Sequence, residues 1–368
     1  MPTGRLVRML VVCALVLGAV RLTVSAPERC GDVAAHDARV GARAAAQWLA
    51  RGQRDDGSYL YLADERGRDL GGYNAVRHAG VTLSLYQAGF GDAADRGLGW
   101  MLARLERRDG WAALTDGGVA PLGGSALMLA ALAERRVQTH DRRYDDLMEQ
   151  LGRFLAAMQR DNGDFYVYAY PRTGNVDREA ISQYFAGEAL WALARLERAL
   201  PDPDRRSVAR RAAHFIAAVR DDTDFVPVPP LNDHWAAYAF AEMSDWPLAD
   251  EPAEYARALY GRFDLLIRWE AQSDAGEPYT TTHTSGKRAA ALGTWVEGQA
   301  ALARLARADE RLGDLREATL ASTRCGAAVL LARQRDGAWY TDGETRMDDQ
   351  QHAISGLLAL ADLLEAQA

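Results

Sequence analysis

Apolar positions recur at helical spacing along nearly the whole chain, in segments of two alternating kinds. Segments of the first kind fall near 35–52, 93–107, 145–158, 205–219, 252–270 and 314–333. They carry arginines and acids on one face, as in Arg210-Arg211-Ala212-Ala213-His214-Phe215. Segments of the second kind fall near 77–88, 122–134, 183–197, 233–243, 294–308 and 350–364. These are poorer in charge, as in Ser125-Ala126-Leu127-Met128-Leu129-Ala130-Ala131-Leu132, so they are expected to be buried on most sides. Charged helices outside and apolar helices inside predict an all-α protein, an (α/α)6 toroid of six hairpins in two concentric layers. The helical pattern shows no strand–helix alternation and no Gly/Ser/Pro-rich linker, so 31–368 is read as one domain.

The connections are unequal. Links from a second to the next first helix are short or polar, for example Gly89 to Ala93. Links within a pair are long and rich in tyrosine: Gly57 to Asn74, Gly163 to Ser182 and Ser273 to Gly293. Loops this long inside a compact domain are usually functional, and in an up-down ring they all emerge on one face.

A short motif marks the ends of the first helices. Phe154-Leu155-Ala156-Ala157-Met158-Gln159 precedes Gly163 and Phe165. Trp48-Leu49-Ala50-Arg51-Gly52-Gln53 precedes Gly57 and Tyr59, and Leu330-Leu331-Ala332-Arg333-Gln334 precedes Gly337 and Trp339. Weaker copies lie at Trp100–Trp111 and Ile267–Gly276. This pattern resembles the glutamine-tryptophan repeat of terpenoid cyclase and prenyltransferase toroids. The six helix pairs resemble six-hairpin glycosidases and related polysaccharide lyases and epimerases. The second resemblance implies chemistry on a carbohydrate. The first implies a polyprenyl lipid in an apolar, aromatic-walled cavity. A non-catalytic glycan binder is a third reading. Within the motif itself, a structural role is expected: the glutamine capping helix ends and the aromatic packing in the turn.

The apolar fraction of 48% supplies an ample core, and the net charge of −8 argues against a nucleic-acid partner. Arg5 and Arg8 precede an apolar run, Met9 to Val20, with a small-residue site at Val24-Ser25-Ala26. Residues 1–30 are therefore expected to be a signal peptide or an N-terminal membrane anchor, and the protein to be exported, either secreted or tethered to the outer face of the cytoplasmic membrane. Outside the apolar run stand Cys30, at the start of the mature chain, and Cys325, which in an oxidising compartment either pair or remain separate thiols.

Ionisable groups recur at the loop ends of the second helices. Expected acid/base groups are Asp233, Asp348, Asp349 and Glu188, assisted by His78, His234 and Tyr184. Arg77, Arg346, His352, Glu297, Tyr73, Tyr168, Trp235 and Trp339 are expected to bind substrate. Glycosidic cleavage requires opposed carboxylates, one protonated and one ionised, and crowded like charges provide both forms. Elimination and epimerisation instead need a base and an acid on either side of one carbon, often His and Tyr, with an arginine such as Arg77 or Arg346 neutralising a carboxylate. Aromatic rings in the long loops would stack on sugar faces. His78, Asp233, His234 and His352 have ligand chemistry suited to zinc or manganese, but no His-Glu-x-x-His spacing occurs, so neither metal nor cofactor is expected.

Overall fold

The computed structural model describes residues 3–24, 30–223, 231–274 and 288–367, with the backbone alone for 20–24. Helix α1 (Thr3–Val24) precedes the toroid, and its described side chains are exposed. The first three hairpins pair α2 (Ala35–Arg51) with α3 (Ala75–Gln87), α4 (Gly91–Leu102) with α5 (Leu122–Thr139), and α6 (Asp145–Ala157) with α7 (Phe185–Ala199). In the fourth, α8 (Pro203–Ala218) and the single turn α9 (Arg220–Thr223) lead to α10 (His234–Glu242). The last two join α11 (Asp250–Asp274) to α12 (Ala289–Ala308), and α13 (Arg316–Arg333) to α14 (Met347–Glu365). Inner helices pack in the order α3, α5, α7, α10, α12, α14 and back to α3, which closes the ring.

Small residues let the inner helices approach one another. Helix α5 buries Gly123, Gly124, Ser125, Ala126, Ala130 and Ala131 in succession with Leu127, Leu129 and Leu132. Outer helices bury one stripe only, as in α6 with Leu147, Met148, Leu151, Phe154 and Leu155. Local signals set the helix starts: Asp202 accepts from the Asp204 and Arg205 amides, and Pro203 opens α8 where its missing N–H costs nothing.

The repeated motif joins successive outer helices. Gln53 Nε2 donates to the Ala93 carbonyl on α4 at 2.9 Å, Gln159 Nε2 to the Val208 carbonyl on α8 at 2.9 Å, and Gln334 Nε2 to the Gly41 carbonyl on α2 at 2.9 Å. The motif's glycine has a second reason. Gly163 has φ +94°, and a β-carbon there would lie 2.6 Å from the Arg211 carbonyl oxygen. The glutamine therefore bridges to the neighbouring repeat, beyond the capping role expected of it. The aromatic residue fills the turn: Tyr59, Phe165 and Trp339 are buried.

Short strands, unexpected from the sequence, tie the long loops together. Leu62–Asp64 pairs antiparallel with Glu344–Arg346, joining the first loop to the sixth. Ala120–Pro121 pairs with Tyr168–Tyr170, joining the second to the third. The segment near 93–107 is shorter than expected: α4 stops at Leu102, and Leu105–Arg108 turns into a hairpin with Trp111–Leu114. Cys30 and Cys325 form a disulfide with Cα atoms 5.0 Å apart, fixing the chain before α2 to α13. Among the described residues no helix is long and apolar enough to cross a membrane, and the expected cleavage site at Val24-Ser25-Ala26 extends outside them.

Candidate functional site

The inner helices present their N-terminal ends to one cavity of about 380 Å³. The helix dipoles therefore add positive potential to this space. Helix α3 contributes Asn74 and Arg77, α7 contributes Tyr184, Phe185 and Glu188, and α10 contributes Asn232, His234 and Trp235. Trp295 comes from α12, and Arg346, Asp348, Gln351 and His352 from α14.

On one wall two imidazoles face each other, His234 and His352, with ring centroids 5.1 Å apart and planes at 84°. His352 Nδ1 lies 2.7 Å from Glu297 Oε2, and His234 Nε2 lies 3.6 Å from the same oxygen. Both ring nitrogens of His234 are buried without a hydrogen-bond partner. Burial, reinforced by His352, pushes its pKa well below the ordinary value, so the ring is neutral. Burial raises the Glu297 carboxyl, against the opposing pull of His352, Ser355 and Tyr238. Nitrogen and oxygen atoms of His234, Glu297 and His352 lie within 4.8 Å of one another, close enough to chelate a metal ion. The hydrogen bond between His352 and Glu297 satisfies those two groups by itself.

A second wall carries charge. Asp348 accepts from Arg346 through both oxygens, and from Arg77 Nε at 2.9 Å. Burial opposes its ionisation, but the two guanidiniums hold its pKa below the ordinary value. Arg77 Nη1 also donates to the Tyr61 hydroxyl at 2.8 Å. Opposite stands Glu188, whose Oε2 is buried and without a partner. Burial, with the Asp233 charge nearby, pushes its pKa up to about 8, so it is largely protonated at neutral pH. Gly123 on α5 makes room for it: a β-carbon there would collide with Glu188 Oε2 and lie 2.7 Å from the Phe185 ring.

Several expected site residues lie elsewhere. Asp233 is fully buried; Oδ1 caps α10 through the Trp235 and Ala236 amides, and Oδ2 binds Arg220 Nη1 at 2.6 Å. Neither oxygen is left for proton transfer. Asp349 accepts from the Arg346 and Ala290 amides and pairs with Arg288 at 2.7 Å, so it fixes the starts of α14 and α12. His78 points outward to α4: it stacks on Trp100 at 4.1 Å, its Nε2 donates to the Gly97 carbonyl at 2.8 Å, and its Nδ1 accepts from the Tyr73 hydroxyl at 2.6 Å. Burial pushes its pKa down to about 4. Tyr73 is absorbed in the same cluster. Trp339 donates to the Leu330 carbonyl in an outer turn, and Tyr168 sits on the loop ladder with its ring edge-on to Phe185.

Sequence reasoning missed Asn74, Thr294 and Gln351 as cavity residues. Gln351 had a usable signal, since Asp348, Gln351 and His352 are spaced i, i+3, i+4 and must share a helix face.

No family model and no curated protein sequence matches the chain. Solved structures do. A D-mannose isomerase superposes with TM-score 0.61 at 14% identity over 88% of this chain and 95% of its own. Cellobiose 2-epimerase from Spirochaeta thermophila gives 0.59 at 13% over 87% and 94%. An unsaturated glucuronyl hydrolase specific for heparin gives 0.57 at 9% over 89% and 97%. At such identities the likeness is one of fold, and the fold is the (α/α)6 toroid of the six-hairpin enzymes.

Proposed function

We propose that this protein is a sugar isomerase or epimerase that moves a proton at the carbon beside the carbonyl of a reducing sugar. The observation that carries the reading is the facing pair His234 and His352, one unpartnered and the other backed by a buried carboxylate. In the open-chain sugar, neutral His234 takes the proton from C2 while His352, steadied by Glu297, protonates the carbonyl oxygen. The product of that step is an enediol. Return of a proton to the opposite face of C2, with loss of the O1 proton, gives the epimer; return to C1, with loss of the O2 proton, gives the ketose. All atoms are conserved, so the reaction needs no oxidant, reductant or second substrate. A D-mannose isomerase and a cellobiose 2-epimerase among the structural neighbours are consistent with this chemistry.

Hydrolysis is the weaker reading because it needs two carboxylates facing the bond. Asp233 and Asp349 are consumed by caps and ion pairs, and Asp348 is clamped by two arginines. Glu188, held protonated, is suited to be a general acid but lacks a free ionised partner. The charged walls also depart from the apolar lining that a polyprenyl substrate requires.

The test is incubation of the protein with aldoses and reducing disaccharides in D2O, followed by NMR. Deuterium at C2 of the epimer, or at C1 of the ketose, is the expected result, abolished in His234→Ala and His352→Ala. Reducing ends released from glycans, with C2 hydrogen retained, would transfer the site to hydrolysis.

Export belongs to the same proposal. The basic residues before the apolar run support it, as does the Cys30–Cys325 disulfide, a bond that persists in oxidising compartments. Fractionation of cells expressing the full chain, with thiol labelling of Cys325, checks it; recovery in the cytoplasm with free thiols refutes it.

A further inference from the structure

We infer that the sugar carries an anionic group, and that Arg77 and Arg346 receive it at the cavity wall. The inference rests on the sugar-processing reading for its chemistry, but its charge argument is independent. Two guanidiniums share the single carboxylate of Asp348, leaving one positive charge uncompensated. Their side chains are 33% and 27% exposed, against 8% for Asp348, so the cationic face is the accessible one.

Donors remain unused. Arg77 spends Nε on Asp348 and Nη1 on Tyr61; Arg346 spends Nε and Nη2 on Asp348. Among the described residues, Arg77 Nη2 and Arg346 Nη1 make no hydrogen bond. Two such N–H groups suit an oxyanion, which a guanidinium binds through paired, charge-assisted hydrogen bonds. Helices α3 and α14 both begin at this point, adding their positive ends.

The remaining acids do not cancel the excess. Asp349 is matched by Arg288, Asp233 by Arg220, and Glu297 is hydrogen-bonded to His352 on the other wall. Glu188, on the far wall, is buried with its unpartnered oxygen against Gly123 of α5 and is uncharged at neutral pH. A neutral sugar would leave the arginine pair facing water, whereas a carboxylate or phosphate on the sugar would neutralise it.

Calorimetry with the full chain at low salt tests this with three probes: D-glucose, sodium D-glucuronate and D-glucose 6-phosphate. At least one anion is expected to bind about tenfold tighter than glucose, a free-energy step of about 1.4 kcal/mol, and the advantage should shrink as salt rises. The better anion identifies the group as carboxylate or phosphate. Arg77→Gln should erase the preference, read as the ratio of anion to glucose affinity within the same variant, and Arg77→Lys should restore part of it. Circular dichroism verifies folding of both variants. Equal affinity for all three sugars overturns the inference, whether or not any is turned over. Selective binding without C2 exchange overturns the isomerase reading alone, and failure to bind any sugar overturns both.

Discussion

Glu188→Gln should make the protein more stable at neutral pH, by an amount that depends on pH in a defined way. The folded state holds Glu188 with a pKa of about 8, against an ordinary 4.5, because burial denies its charge solvent. Between those values the folded protein keeps a proton that the unfolded chain has released. Wild-type stability therefore falls, relative to the variant, as pH rises through that interval. At about 1.4 kcal/mol per pH unit, the deficit is below roughly 1 kcal/mol at pH 5, reaches roughly 3 kcal/mol at pH 7, and levels off above pH 8. Glutamine has the same shape and no proton to lose, so it removes the deficit. Urea denaturation of both proteins at pH 5, 6, 7 and 8, with the disulfide intact, measures the difference directly. Parallel stability curves across that range would refute the assignment of Glu188 as a buried, proton-holding carboxyl.

Other substitutions separate structural from chemical acids. Asp233→Ala takes the nearer of two carboxylates from buried Arg220, leaving Asp221 at 3.6 Å, and should cost about 3 kcal/mol in chemical denaturation; Asp348→Asn, on the cavity wall, should cost far less stability yet weaken sugar binding in calorimetry. Gly123→Ala drives a methyl group into Glu188 and Phe185, and should lower stability by about 1–3 kcal/mol and abolish C2 exchange by closing the cavity. Reducing Cys30–Cys325, which closes a loop of 295 residues, should lower stability by roughly 5 kcal/mol on the chain-entropy account; unchanged denaturation with and without reductant would show that packing alone holds that junction.

The architecture was legible because each inner helix is apolar around most of its circumference and each outer helix along one stripe only. Two unlike patterns in strict alternation leave few arrangements other than a two-layered ring. The long loops also identified the face on which the cavity lies. What sequence position fixed less well was the direction each side chain takes. Neighbours on a helix differ by about 100° of rotation. Asp348 and Asp349 are adjacent, yet one faces the cavity and the other clamps Arg288 on the next inner helix. Asp233 and His234 divide in the same way, into cap and cavity. His78 stands one residue after Arg77 and turns outward to Trp100, away from the basin. The partner that claimed each carboxylate came from a distant stretch of chain, Arg220 for Asp233 and Arg288 for Asp349, and no local spacing announced either. The glutamines and glycines of the repeat were visible as a pattern, but their bridging role depends on which helix stands beside which.

The seam where the ring closes has a consequence for biosynthesis. Gln334 reaches α2, the Glu344–Arg346 strand pairs with Leu62–Asp64, and Arg346, Asp348, Gln351 and His352 complete the cavity from the last hairpin. A nascent chain emerging from the ribosome therefore holds five hairpins with an open edge, and an arginine at position 77 still without its aspartate. Stacked repeats that work as open arrays gain function by increments, whereas this molecule has none until its final turn of chain docks against its first.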